Sequence, residues 1–201
     1  MTLGDWLALS SSLSPASVDL LYADPPFNTG GSRRGVSGVF EDRFDSPGAY
    51  VEWLRERLRA TVPALKPSGN VLIHVDWRTS HRVRVMLDEV MGEQNFVNHI
   101  VWSYGLGGSS PRRFARKHDD ILFYAVDPER SYFDPPMVPA TSNRMRGKLK
   151  KSTDVLCIPT INNMSDERVG WPTQKPLALL DVLVRACSPE GGTVLDPTCG
   201  S

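Results

Sequence analysis

Little in this chain points to extracellular or metal-centred chemistry. Cysteine occurs three times, at Cys157, Cys187 and Cys199, with no Cys-x-x-Cys spacing. That suggests neither a disulfide framework nor a zinc site. The four histidines, His74, His81, His99 and His118, form no His-x-x-x-His or His-Glu-x-x-His pair. His74 and Asp76 are spaced to share a metal, but they read more simply as the end of a buried strand, so no metal is expected. No apolar run approaches the ~20 residues that span a bilayer. The start, MTLGDWLALS, lacks the basic head and long apolar stretch of a secretory signal. The chain therefore reads as cytoplasmic. Internal repeats are also absent.

Net charge is missing too, at +0, which by itself argues against a polyanionic partner. Its distribution argues the other way. Residues 103–151 hold ten Lys/Arg against five acids, a local balance of +5. Residues 1–102 hold ten bases against twelve acids, and 152–201 three against six. Positive charge is thus gathered in the middle third. With 201 residues, 40% apolar and 23% charged, the chain is of a size and composition for one globular domain.

Short apolar runs at Val18–Ala23, Val71–Val75 and Ile121–Val126, bounded by turn formers or charges, predict buried strands. Ile100–Tyr104, before the glycine-rich stretch 105–110, and Thr193–Asp196 are two more. Between them, Ala49–Leu65 predicts a helix with Trp53, Leu54, Leu58, Val62 and Leu65 on one face. Pro63 stands where it would tighten or break the last turn. Arg82–Met91 predicts a second helix, and Pro176–Cys187 a third with Leu177, Leu180, Leu183 and Val184 inward. Strands alternating with helices imply an α/β fold around a mainly parallel sheet. Residues 127–170 are proline-rich, polar and basic, and read as a loop-rich insertion suited to contacting a partner.

Chemistry enters at VDLLYADPPFNTG. Asp24-Pro25-Pro26-Phe27 follows a strand directly, where α/β sheets bind ligands. The prolines fix φ and remove two backbone donors, leaving rigid carbonyls free to accept. Such a corner suits a planar ring bearing an exocyclic NH₂: Asp24 and the Pro25 carbonyl accept its two hydrogens while Phe27 stacks on the ring. A plain turn is the rival reading, because Asp134-Pro135-Pro136 repeats the tripeptide without an apolar strand before it. That second copy is taken as a turn. A second signal closes the chain: Thr173-Gln174-Lys175-Pro176, a helix, then VLDPTCGS, a strand running into a small-residue turn that lets a ligand approach the backbone.

In order and spacing, DPPFNTG followed by WPTQKPLALLDVLVRACSPEGGTVLDPTCGS resembles the permuted (beta) class of DNA amino-methyltransferases, the DNA methylase N-4/N-6 family. The strand and loop VDLLYADPPFNTG, the stretch KHDDILFYA and the WPTQKP helix are similar to adenine-modifying members, including type III restriction-system modification subunits. The resemblance implies a Rossmann-like fold dependent on S-adenosylmethionine, with its last strands missing here. One methyltransferase domain would cover 1–201, with 1–126 a catalytic half, 127–170 a target-recognition insert and 171–201 the start of a cofactor-binding half. It implies that Asp24, Pro25, Pro26 and Phe27 grip the target base. Lys175, Pro176, Asp196, Pro197, Cys199, Gly200 and Ser201 would line the cofactor pocket. The implied partner is double-stranded DNA with one base flipped out, held by Arg112, Arg113, Arg116, Lys117, Arg144, Arg146, Lys148, Lys150 and Lys151. A second copy of the chain or a restriction subunit is the protein partner it would imply.

The implied activity is methyl transfer to N6 of adenine. Members acting on N4 of cytosine more often carry serine where this chain has Asp24, and they are the runner-up. Carbon-5 methylation needs a cysteine nucleophile, usually after proline, and none of the three cysteines follows one. RNA or protein-amide substrates fit the motif order and basic insert less well. A non-catalytic DNA-binding module is the rival of another class. It gains weight because the family continues beyond the position of Ser201 with elements that hold the cofactor ribose, so a fragment is expected here.

Overall fold

The computed structural model describes residues 4–35, 38–105, 109–162 and 165–200. In chain order the elements are α1 (Trp6–Ser10), β1 (Val18–Ala23), the hairpin β2 (Gly31–Gly35) and β3 (Gly38–Asp42), α2 (Pro47–Thr61), β4 (Leu65–Val75), α3 (Ser80–Met91), β5 (Phe96–Ser103), β6 (His118–Ala125), the hairpin β7 (Met137–Pro139) and β8 (Leu149–Lys151), β9 (Val155–Cys157), α4 (Leu177–Cys187) and β10 (Val194–Leu195). The central sheet has the order β10-β1-β4-β6-β5-β9. Only β6 runs against its neighbours; the other strands share one direction. The expected mainly parallel α/β sheet is what forms.

Every residue of β1 is buried, because helices cover both faces and successive side chains alternate between them. Leu21, Ala23, Val71, Ile73, Val75, Leu122 and Tyr124 pack with Tyr50, Leu54 and Leu58 of α2 and with Val83, Met86 and Leu87 of α3. Their sequence neighbours Leu20, Tyr22, Leu72, Ile121 and Phe123 enter the opposite layer with Leu179, Leu183 and Ala186 of α4. The connection from β1 to β4 crosses one face and α4 feeds β10 on the other, so a crevice opens between β1 and β10 at their C-terminal ends.

Several boundaries move. The helix predicted over 49–65 starts at Pro47, behind a Ser46 cap that accepts the Ala49 N–H, and stops at Thr61. Pro63 turns Val62–Ala64 into a 3₁₀ turn, and Leu65 becomes the first residue of β4. Leu177, expected inward, is 67% exposed. The buried stripe of α4 is Leu179, Leu183, Ala186 and Cys187, because the helix begins only after Pro176 and its phase is set by the sheet. The 127–170 segment is less irregular than expected. It carries β7 and β8, and it lends β9 to the main sheet beside β5. Asp134-Pro135-Pro136 lies in an irregular connection, with Asp134 exposed. No helix among the described residues is long and apolar enough to cross a membrane.

Asn70 of β4 is wholly buried and ties the layers together. Its amide donates to the carbonyls of Tyr132 and Cys187 at 2.7 and 2.8 Å. Asn70→Ala removes the donor from one buried and one part-buried carbonyl, so it is expected to lower unfolding stability by roughly 2–4 kcal/mol. A urea titration showing less than half a kcal/mol would remove Asn70 from this role.

Candidate active site at the strand ends

Three neighbouring parallel strands each end in an aspartate: Asp24 follows β1, Asp76 follows β4 and Asp196 follows β10. The Asp24 N–H donates to Thr198 Oγ1 at 2.8 Å. That hydroxyl donates on to Asp196 Oδ1 at 3.3 Å, which also accepts the Thr198 N–H at 2.9 Å. Burial, with the nearby Asp24 charge adding, pushes the Asp196 carboxyl above the usual range against the pull of its Thr198 bonds. Lys175, just before α4, donates from Nζ to Asp24 Oδ2 at 2.5 Å, and both side chains are mostly buried (11% and 16% exposed). The other oxygen, Asp24 Oδ1, is buried and has no hydrogen-bond partner within the protein. An orphaned buried acceptor is rare enough to demand a reason.

The loop after Asp24 is braced from behind. Asn28 adopts φ 55°, a conformation asparagine tolerates better than most residues. Its side chain accepts the Phe44 N–H at 3.1 Å. Asp42 accepts the Asn28 N–H at 2.7 Å and the Thr29 hydroxyl at 2.5 Å. Phe27 lies against His74 at 5.7 Å between ring centroids, and Lys175 Nζ stands 5.1 Å from the Phe27 ring centroid. His74 is fully buried, with Nδ1 bonded to the Tyr22 hydroxyl at 3.1 Å and Nε2 to Asp119 at 3.2 Å. It is thus part of a polar network behind Phe27. Burial and the surrounding carboxylates raise the Tyr22 phenol well above its ordinary value, so it stays a hydroxyl.

Asp24, Pro25, Pro26, Phe27, Lys175, Asp196, Pro197, Cys199 and Gly200 meet in one cleft of about 1210 Å³. Pro176 is buried at the head of α4 beside Lys175. Ser201 lies outside the described residues. Gly200, at φ 77°, has no room for a side chain: a Cβ there would come within 2.7 Å of the Trp171 indole nitrogen. Sequence reasoning missed Thr198, the Asp42 brace, Trp171, and Trp6, Leu9 and Leu13 near the N-terminus, which also line the cleft. Asn28 after Phe27 was the one readable hint of a left-handed corner.

The basic residues split into two groups. Arg112, Arg113, Arg116 and Lys117 lie between β5 and β6, on the sheet edge that carries Asp24. Arg144, Arg146, Lys148, Lys150 and Lys151 sit on the β7–β8 hairpin and its connecting turn. That hairpin is approached from the other end of α4, where the Asp134 N–H donates to the Ala186 carbonyl.

The sequence pattern of the DNA methylase family matches residues 18–201. The chain is 28% identical over 218 aligned residues to the type II methyltransferase M.ScaI of Streptomyces caespitosus, covering 98% of this chain and 69% of that protein. It is 27% identical to the DNA adenine methyltransferase YhdJ of Escherichia coli (strain K12), covering 98% and 70%. Among solved structures, the fold is similar to the cytosine-N4-specific PvuII DNA methyltransferase, with TM-score 0.71, 16% identity, and 98% and 72% of the two chains covered. It is also similar to the M1.HpyAVI–SAM complex, with TM-score 0.58, 19% identity, and 98% and 80% covered.

Removing the cation beside Asp24 tests the site electrostatics without any substrate. Lys175→Met leaves a mostly buried carboxylate without its ion-pair partner and is expected to cost about 3 kcal/mol at pH 7. Lys175→Arg should recover most of it. Urea midpoints that do not separate the two variants would mean that the pair does not hold the site together.

Proposed function

The chain belongs to the N6/N4 DNA methylase family, and from that premise we propose that it methylates the N6 amino group of adenine, using S-adenosylmethionine and the corner Asp24–Phe27. The orphaned Asp24 Oδ1 carries this reading. It is a buried acceptor with nothing in the protein to accept from, on a residue that lines a large cleft together with Phe27. Adenine's amino nitrogen is a poor nucleophile because its lone pair is delocalised into the ring. Accepting one N–H at Asp24 Oδ1 and the other at the Pro25 carbonyl favours a tetrahedral nitrogen and frees that lone pair. Lys175 on Oδ2 holds the carboxylate in one orientation. Oδ1 is then the acceptor for the proton the nitrogen gives up. Phe27, backed by His74, stacks on the ring and contributes about 1–3 kcal/mol towards the few kcal/mol that extruding a base costs.

The cofactor suits the residues around the β10 turn. Gly200 keeps the backbone bare at the cleft wall, and Lys175, Pro197 and Cys199 line the same space. Trp171 and Leu180 add apolar wall. When bound, S-adenosylmethionine supplies a methyl group already activated on its sulfonium. The protein's contribution is placement: one cleft spans the acceptor Asp24 and the β10 turn, so both reactants are held in register.

The carboxylate at position 24 favours adenine over cytosine, as does similarity to an adenine-specific relative over nearly the whole chain. N4-cytosine transfer is the second reading, since the same corner accommodates cytosine's amino group and the PvuII enzyme shares the fold. Both basic groups are read as phosphate contacts on duplex DNA.

Incubation with labelled S-adenosylmethionine and unmethylated DNA, followed by mass spectrometry of nucleosides, is expected to yield N6-methyladenine. N4-methylcytosine would overturn the choice of base. Asp24→Ala should reduce transfer by more than about a hundredfold with cofactor affinity within a few-fold; an equal loss of both would assign Asp24 to the cofactor site. For the hairpin, Lys148→Glu combined with Lys150→Glu should weaken DNA binding and flatten its salt dependence. An unchanged slope would take the hairpin out of the interface.

A further inference from the structure

Phe114 is 97% exposed, more than any other large apolar side chain among the described residues. It lies in Pro111-Arg-Arg-Phe-Ala-Arg-Lys117, with four cations within three positions and no acid. The loop is tied at its base: the Tyr104 N–H donates to the Lys117 carbonyl at 3.1 Å and Lys117 Nζ to the Gly105 carbonyl at 2.8 Å. A ring so exposed contributes little to the packing of the described residues.

The loop's place is informative. It joins the end of β5 to the start of β6, on the edge where β1 delivers Asp24. β6 is two strands from β1, a separation of about 10 Å at the usual spacing, comparable with the ~12 Å width of a DNA major groove. Beside the loop, Trp77 carries the Arg116 guanidinium 3.3 Å and that of Arg78 4.9 Å from its ring centroid. Arg78, Arg113 and Arg116 line one cavity of about 320 Å³ with Asp76 and Asp119. Asp76 is paired with Arg78, and Asp119 is bonded to His74 and Tyr104. Arg113 and Arg116 are therefore the cations left for an anion from outside.

An exposed aromatic flanked by guanidinium groups, on a loop that leaves the sheet two strands from the one that delivers Asp24, matches the requirement of a base-extruding enzyme. The hole left in the duplex collapses unless something stacks in it. We propose that Phe114 is the wedge that occupies the position vacated by the target base, with Arg113 and Arg116 on the flanking phosphates. This rests on the DNA-face reading above and assigns the residue that keeps the base out, a role separate from gripping the base.

The test needs no knowledge of the recognised sequence. Affinity is measured, against salt, for a short duplex containing one abasic site and for its fully paired counterpart. The unaltered protein is expected to prefer the abasic duplex, where unpairing is already done. Phe114→Ala should lose that preference by about tenfold while keeping its salt slope, and Phe114→Trp should restore it. Arg113→Gln with Arg116→Gln should reduce the slope by about 2 and keep the preference. An alanine variant that keeps the preference, or an unaltered protein that shows none while binding DNA in a salt-dependent way, overturns the wedge and leaves the DNA face standing. Salt-independent or absent binding by the unaltered protein removes the DNA face, and the wedge with it.

Discussion

The bond from the Asp24 N–H to Thr198 joins residues 174 positions apart, and the site depends on it. It forms because β1 and β10 lie side by side in parallel with Leu20 opposite Val194 and Leu21 opposite Leu195. In that register both strands finish at the same level. A slip of one residue would turn every side chain of β10 to the other face and carry Asp196 and Thr198 away from Asp24. Lys175 completes the joint from the head of α4, so Asp24 is held at its backbone N–H by Thr198 and at its carboxylate by Lys175, from segments that are consecutive with each other but remote from it in sequence.

Gathering carboxylates at one sheet edge is costly, and the structure answers almost every one of them. At this edge Asp76 has Arg78 and Asp196 has Thr198, and Asp42 behind the loop has Asn28 and Thr29; at the opposite end of β1, Asp19 has Lys66 and the Thr193 N–H. Burial still raises Asp76 and Asp196 against their hydrogen bonds. Against that background Asp24 Oδ1, buried with no hydrogen-bond partner in the protein, stands out. Other buried polar atoms also lack partners, among them Tyr50 Oη and Asn70 Oδ1, but Asp24 Oδ1 belongs to a carboxylate that lines the large cleft, which makes it a place to look for a ligand.

The elements that were legible were those whose apolar runs are buried on both faces. Val18–Ala23 was read to the residue because every position in it is buried whichever way it points. Edge elements were harder. Val155–Cys157 buries only Leu156 and carries no pattern, so its place beside β5 was invisible. The phase of α4 was misread at Leu177, since six leucines and valines within residues 177–184 offer more than one apolar stripe and only the sheet selects among them. The Asp24–Phe27 corner was readable because a rigid Asp-Pro-Pro-Phe after a strand is an unusual local arrangement. Its supports were not, because Asp42, His74 and Thr198 are ordinary residue types whose roles exist only through contacts far along the chain.

The sequence by itself determined the fold class, the DNA methylase family and the two loops from which the site is built. Local chemistry decides these: apolar runs of strand length, proline-fixed corners and small-residue turns act within a few residues of where they are written. Tertiary structure alone decided which oxygen of Asp24 is left open, that His74 backs Phe27, and that the arginine loop between β5 and β6 rises on the same edge as Asp24. Those outcomes depend on strand order and register. They are set by the summed packing of both sheet faces and by the need to pair buried charges, and no short stretch of sequence contains them.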